Sequence, residues 1–409
     1  TLGMGSAALA LPGTMPIFAQ AKRRPNVILI FTDDQGSIDI NTYGAQDLIT
    51  PNLDRLASEG TRFTQFYAAA PVCSPSRAAL MTGRYPQRAE LAGNTSSKKG
   101  NPGMPSRQIT IAEMMKDAGY ATGHVGKWHL GYTPDTMPNN QGFDYSFGHM
   151  GGCIDNYSHY FYWSGPNVHD LWRNGEEVWY DGEFFGDLMV DECKQFISAH
   201  QDEPFFLYWA INFPHYPLQG TARWREEYDD LEYPRSDYAA FVSTMDEMVG
   251  RVLDHLDERG LKDDTIIIFQ SDHGHSTETR TGGGGGNAGS YRGAKFSLFE
   301  GGIRVPAIIR YPGAVPAGAV RDQLATACDW YPTILDLCGI EPAKHKIDGE
   351  TIVPVIRSSD AKSPHDLFHW ETGKNQWAVR KGDWKLIGNP RDTSNKAEIT
   401  EADKLFLVN

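Results

Sequence analysis

The sequence lacks several signatures. Its five cysteines, Cys73, Cys153, Cys193, Cys328 and Cys338, form no CxxC pair, which argues against zinc ribbons and thioredoxin-type redox chemistry. No run of 18 or more apolar residues is present, so no stretch has the character of a transmembrane span. Positive charge is in deficit. The formal net charge is −14, which argues against a general nucleic-acid binder and means that an anionic substrate needs a local cationic pocket. There is no internal repeat. The one glycine-rich patch, Gly282–Gly286, lacks the GK[ST] ending of a phosphate-binding loop and reads as a flexible surface loop.

What is present is ordinary in bulk. The 409 residues, 40% hydrophobic and 22% charged, suffice for one large or two unequal domains with a sizeable core. Residues 2–11, LGMGSAALAL, followed by Ala19-Gln20-Ala21, read as the tail of a secretory signal covering 1–21, and so as an exported protein, periplasmic or extracellular.

Short apolar runs without alternation, Val27–Phe31, Pro204–Ile211, Thr265–Phe269 and Pro306–Arg310, predict buried parallel strands. Helical patterns lie between them at Asn52–Gly60, Thr110–Gly119 and Asp237–Gly260. The alternation predicts an α/β fold, a mostly parallel or mixed central sheet flanked by helices, over residues 22–363. Trp377–Arg380 and Trp384–Ile387 predict a hairpin within a small antiparallel C-terminal subdomain, 364–409.

Two strands end in acids: Val27–Phe31 leads to Asp33-Asp34, and Thr265–Phe269 leads to Asp272-His273. Ligands of open α/β sheets bind at the carboxyl ends of strands, and an oxygen-rich cluster there suits a hard divalent cation; turn capping by either Asp is the plainer alternative. Lys127 and His129 in GKWHLG, His215 after an apolar strand, Lys295, and Arg77 in CSPSR supply cationic or titratable groups that together would suit a tetrahedral oxyanion.

These motifs resemble the type I, formylglycine-dependent sulfatases of the alkaline phosphatase superfamily, over about Arg24 to Ile387. The likeness rests on Pro25-Asn26-Val27 through Asp33-Asp34, CSPSR with LMTGR, GKWHLG, QSDHG and EGGIRVP. The resemblance implies an alkaline-phosphatase-like fold and hydrolysis of sulfate esters, on sulfated saccharides. It implies that Cys73 is oxidised to Cα-formylglycine by a formylglycine-generating or sulfatase-maturating enzyme before export. The hydrated aldehyde attacks sulfur and passes through a covalent sulfate hemiester. It further implies Asp33, Asp34, Asp272 and His273 as ligands of Ca²⁺ (or Mg²⁺), with residue 73 facing the metal. Arg77 would hold the diol, Lys127 and Lys295 the sulfate, His129 would be the base of the elimination and His215 the acid for the departing alcohol.

Relatives carry Asn or His where His273 stands. The stretch Gly151–His159 matches no family element, and the aromatic run after it suggests a sugar-binding wall with Asp155, His159 and, from another loop, Arg292 as contacts. Phosphoester or phosphonate hydrolysis, and glycan binding without turnover if Cys73 stays a thiol, are the competing functions.

Overall fold

The structure, a computed structural model, describes residues 24–162, 167–342, 344–373, 375–394, 399 and 403–408. The leader assigned to 1–21 and Trp163 of the aromatic run lie outside the described residues.

The main sheet has ten strands: β1 (Asn26–Thr32), β2 (Thr61–Phe63), β3 (Ala121–Lys127), β4 (Tyr145–His149), β5 (Trp172–Arg173), β6 (Glu176–Glu177), β7 (Phe205–Ala210), β8 (Thr265–Ser271), β9 (Ala307–Arg310) and β10 (Ala319–Arg321). Their order is β10-β2-β9-β8-β1-β7-β3-β4-β5-β6. The five central strands, β8-β1-β7-β3-β4, run parallel, with Phe31 opposite Gln270 on one side and Ala210 on the other. The strand expected from Pro306–Arg310 is present, but it is antiparallel to β8. A run buried on both faces looks the same in sequence whichever way it points.

Successive side chains of β1 enter opposite cores. Ile28 and Ile30 join Phe241, Met245 and Val249 of the helix Arg235–Glu258 on one face. Val27, Leu29 and Phe31 join Leu80, Met81 and Trp330 on the other. Each such side chain contributes about 1.5–3 kcal/mol on burial, and two covered faces explain the missing alternation. No helix of the described residues is long and apolar enough to cross a membrane.

At the C-terminus, β11 (Leu367–Glu371), β12 (Trp377–Lys381), β13 (Trp384–Gly388) and β14 (Leu405–Val408) form a separate antiparallel sheet. Lys381 pairs with Trp384 across a two-residue turn in which Gly382 takes φ 56°, the left-handed geometry hairpin turns need. The sheet buries Phe368, Trp370, Ala378 and Ile387 against Tyr67, Leu298, Phe299 and Ile303 of the main body.

Candidate active site

The parallel arrangement brings four strand ends to one edge. β1 delivers Asp33 and Asp34, β8 delivers Asp272 and His273, β3 ends on Lys127, and His215 follows β7. Backbone bonds lock the ends together: Asp272 N–H donates to Thr32 O at 3.0 Å, and Asp33 N–H to Phe213 O at 3.0 Å. Asp34 sits at φ 62° with its N–H on Asp272 Oδ1 at 3.2 Å. Over this edge lies the N-terminus of the helix Cys73–Thr82, all ten residues of which are buried. Helical spacing places Arg77 one turn after Cys73, on the same side. Ser76 Oγ donates to the carbonyl of Asp272 at 2.5 Å and fixes the helix to β8.

The polar side chains then interlock. Lys127 Nζ is 2.6 Å from Asp33 Oδ2, and Arg77 is 3.0 Å from Asp272 Oδ2 and 3.4 Å from Asp33 Oδ1. Lys295 Nζ lies 2.8 Å from Asp34. Cys73 Sγ is 3.7 Å from Asp33 Oδ1 and 3.4 Å from His273 Nε2. The ring of His273 is oriented by its other nitrogen: Nδ1 donates to the Gly274 carbonyl at 2.9 Å, leaving Nε2 3.4 Å from both Asp34 Oδ1 and Asp272 Oδ1. A carbonyl that fixes the tautomer of an inward-facing imidazole is the usual outer support of a metal ligand.

The donor set fits a hard divalent cation. Ligand atoms of Asp33, Cys73, Asp272 and His273 lie within 4.8 Å of one another, as do those of Asp33, Asp34, Cys73 and His215. Asp34 Oδ1 is buried and faces Lys295 Nζ at 2.8 Å and His273 Nε2 at 3.4 Å, so positive charge already gathers round the oxygen a metal would take. Burial pushes the Asp34 carboxyl up to about 7 and that of Asp272 to about 6, even against Lys295 and His273 in the first case and His273 and Arg77 in the second. Asp33 goes the other way: burial would raise its carboxyl, but Lys127, Arg77 and Lys295 together outweigh that and hold it well below the usual carboxylate range. Against its own burial, His273 is drawn up to about 9 by Asp272 and Cys73. The cage therefore calls for positive charge at its centre.

Burial pushes the Cys73 thiol up, yet Lys127 and Lys295 bring it down to about 6. Burial and the neighbouring cations hold His129 and His215 well below the usual imidazole range, so both are neutral at pH 7. His215 Nδ1 donates to the Tyr216 carbonyl at 2.8 Å, which leaves Nε2 bare, 3.6 Å from Asp34 Oδ2.

A cleft of about 310 Å³ opens above this cluster, reached by Cys73, His129, His215 and Lys295. Alternate residues of an extended segment, such as Lys127 and His129, would share one direction. Lys127 does end a strand, but His129 takes φ 54°, so a left-handed turn and not strand alternation sets its direction. Asp155, His159 and Arg292, expected as sugar contacts, do not line the cleft. Asp155 accepts from Ser158 N–H at 2.8 Å and Gln219 Nε2 at 2.7 Å, and His159 is buried with Nε2 at the Glu183 carbonyl. Arg292 pairs with Asp392 at 2.6 Å and faces a separate cavity of about 380 Å³ beside Glu300. The aromatic stretch still reaches the cleft, through Cys153 and Phe161.

Sequence reasoning missed two basic wall residues. Lys98 sits on an exposed loop. Arg280 lies over the Tyr216 ring at 4.2 Å and pairs with Glu278. Nothing in the local sequence marks either. The glycine run that follows Arg280 is at the surface at Gly282 and Gly283, as expected, but turns inward at Gly284. Gly282 to Gly285 all have positive φ, and a Cβ on Gly284 would meet the Ser276 carbonyl at 1.5 Å.

A mixed sheet with an acidic cluster at its carboxyl edge, a buried helix N-terminus over the cluster and a small antiparallel C-terminal sheet is the architecture of the alkaline phosphatase superfamily of hydrolases. The comparisons with known proteins narrow the class. The family model described as Sulfatase matches residues 25–340, and that described as N-sulphoglucosamine sulphohydrolase, C-terminal, matches 289–401. N-acetylgalactosamine-6-sulfatase of Canis lupus familiaris is 35% identical over 396 residues, 90% of this chain and 72% of that protein. Arylsulfatase D of Homo sapiens is 32% identical over 439 residues, 87% and 72% of the two chains. The crystal structure of Ps i-CgsB in complex with k-i-k-neocarrahexaose has a TM-score of 0.82 at 32% identity, over 89% of this chain and 84% of that one. The chain belongs to the sulfatase family, as a type I sulfatase and a hydrolase.

Proposed function

We propose that the protein hydrolyses sulfate esters of saccharides, using residue 73 as Cα-formylglycine and Ca²⁺ in the cage of Asp33, Asp34, Asp272 and His273. The observation that carries this reading is the setting of Cys73. It is buried at a helix start, 3.4 Å from an inward-facing imidazole, and it borders the open cleft. Two lysines reach the same acid cage, one on each of Asp33 and Asp34. The names of the relatives, an N-acetylgalactosamine-6-sulfatase and a structure holding a neocarrahexaose, support a sulfated saccharide as substrate.

A formylglycine supplies two hydroxyls once hydrated, one to take the sulfate and one to expel it; a bound divalent cation supplies fixed positive charge beside them. The chain's own residues do the rest. Lys127 and Lys295 hold the sulfate oxygens, and Arg77 fixes the hydroxyl that does not attack. His129, held neutral, is a ready proton acceptor for the elimination. His215 offers the bare Nε2 to the leaving alcohol. It must first gain a proton, which the negative charge of a bound sulfate ester favours. In this reading residues 22–363 carry the chemistry, 364–409 form a subdomain, and 1–21 are a leader removed on export after maturation.

The test is expression with a maturation enzyme, mass spectrometry of the Cys73 peptide, and assay on the sulfate and phosphate esters of 4-nitrophenol. An aldehyde at residue 73 and a preference for sulfate are expected. A strong preference for phosphate would sink the reading in favour of a phosphoester or phosphonate hydrolase. A native, exported protein carrying only thiol would favour glycan binding without turnover.

A further inference from the structure

Beside the catalytic cleft lies a larger cavity, of about 620 Å³. Three parts of the chain wall it: Val72 and Gly93 near the Cys73 helix, Phe296 next to Lys295, and Gly373 and Arg391 from loops of the C-terminal sheet. Asn94 and Phe296 line both this cavity and the cleft that holds Cys73, so the two spaces meet at those side chains. The cavity falls within the range of roughly 300–1,000 Å³ usual for small-ligand sites.

Phe296 is held at the junction against its own backbone preference. Its φ is 70°, where a bulky residue persists only if its surroundings enforce it. The enforcement is visible. Phe296 N–H donates to the Pro71 carbonyl at 2.8 Å. Gln376 clamps the other side, with Nε2 on the Phe296 carbonyl at 3.1 Å and Oε1 accepting from Leu298 N–H at 2.9 Å. The ring so placed stands between the reacting centre and the second cavity, with the Arg391 guanidinium 5.8 Å from its centroid. Arg391 is exposed and makes no ion pair among the described residues. The cations of the cavity beside Glu300 differ in this respect, since Glu300 and Asp392 already engage them.

We propose that the second cavity is a saccharide subsite. It takes the sugar residues adjoining the one whose sulfate is cleaved, with a sugar face on Phe296 and an anionic substituent of the neighbouring residue on Arg391. The proposal rests on the sulfatase reading and adds that the substrate is an oligosaccharide and not a lone sulfated sugar. The cavity's continuity with the cleft carries it, together with an aromatic ring enforced at the join and a cation that makes no ion pair among the described residues.

Gly373 and Gly93 give a steric test, because a Cβ added at either meets nothing within 4 Å. Gly373→Trp and Gly93→Trp should fill the cavity. Wild type and variants are assayed with 4-methylumbelliferyl sulfate, with sulfated monosaccharides, and with tetrasaccharides of κ-carrageenan and chondroitin 6-sulfate. The expected result is wild-type preference for a tetrasaccharide and at least a tenfold fall in its kcat/KM in the plugged variants, mainly through KM. Turnover of the aryl sulfate should stay within twofold. Arg391→Ala should weaken the tetrasaccharide reaction more than Arg391→Lys. Plugged variants with unchanged tetrasaccharide turnover, or with equal losses on both substrate types, overturn the subsite. So does a wild type that hydrolyses monosaccharide sulfates no less efficiently than tetrasaccharides. A wild type inactive on the aryl sulfate as well counts instead against the sulfatase reading.

Discussion

Thr393 Oγ1 donates to the backbone carbonyl of Lys295 at 2.9 Å and accepts from Ala294 N–H at 3.1 Å. Ser394 adds a bond from Gly293 N–H at 3.0 Å. A C-terminal segment about a hundred residues away thus straps the loop that brings Lys295 to Asp34. Each such bond is worth roughly 1 kcal/mol, enough to bias where Lys295 sits without deciding whether the protein folds. Thr393→Ala should lower kcat on an aryl sulfate about tenfold with a shift in Tm of only a few degrees, and Thr393→Ser should restore most of it. Equal activity of the alanine and serine variants would count against a positioning role.

Cys73 and Arg77 separate chemistry from stability. Cys73→Ala removes one buried sulfur and should abolish turnover while leaving the fold intact; residual sulfatase activity would contradict the mechanism. Arg77→Ala strips partners from Asp272 and Asp33 in a fully buried site. Breaking such a pair costs about 3–5 kcal/mol, so a falling Tm should accompany the loss. Arg77→Lys keeps the charge without the planar fork. It should retain Tm better than alanine and still lose on the order of 10²–10³-fold in kcat/KM, as for a single oxyanion donor. A loss below tenfold in the lysine variant would remove Arg77 from the site's chemistry.

Metal removal should be visible without any substrate. Three carboxylates and an inward imidazole meet at the cage, with His273 Nε2 3.4 Å from both Asp34 Oδ1 and Asp272 Oδ1. A cation that binds only the folded state at a hundred times its Kd stabilises it by about 2.7 kcal/mol. Dialysis against EDTA should therefore lower Tm, millimolar Ca²⁺ should restore it, and Asp34→Asn should blunt the response. An unchanged Tm across all three would mean that the cage holds no divalent ion.

The strand-end acids were legible because a parallel sheet gathers carboxyl ends at one edge, so apolar runs ending in Asp33-Asp34 and Asp272-His273 predict one cluster. The hairpin turning at Gly382 was legible for an equally local reason. The direction of Ala307–Arg310 was not, since burial on both faces erases the periodicity that would distinguish a buried parallel strand from its reverse. Nor was the burial of Gly284 within an otherwise surface glycine run, which the Ser276 carbonyl from outside the run sets. Asp155 and His159 lie off the cleft that holds Cys73 because a polar residue beside aromatics can cap its own loop, as Asp155 does with Ser158. Contacts such as Thr393 to Lys295 are set by the docking of the C-terminal sheet, and neither residue carries a local mark of the other.

The same docking should be acid-sensitive through Glu300. Its carboxylate receives Lys385 at 2.8 Å, Tyr67 Oη at 2.7 Å and Arg304 at 3.4 Å, joining the C-terminal sheet to the main body. Burial would raise this carboxyl, but Lys385 and Tyr67 bring it down to about 2. Burial holds the Lys385 ammonium below its usual range even with Glu300 beside it, so the carboxylate is the partner that gains from the pairing. A carboxyl depressed on folding stabilises the protein fully above its unfolded value near 4.5, and that contribution disappears as pH falls towards about 2. Against an unfolded value of 4.5, the shift corresponds to about 3 kcal/mol at neutral pH. Glu300→Gln should thus lose stability at pH 7 and show a flatter acid limb between about pH 4.5 and 2 in urea unfolding, while hydrogen exchange loosens first in β12 and β13. A parallel acid limb in variant and wild type would place the acid sensitivity elsewhere.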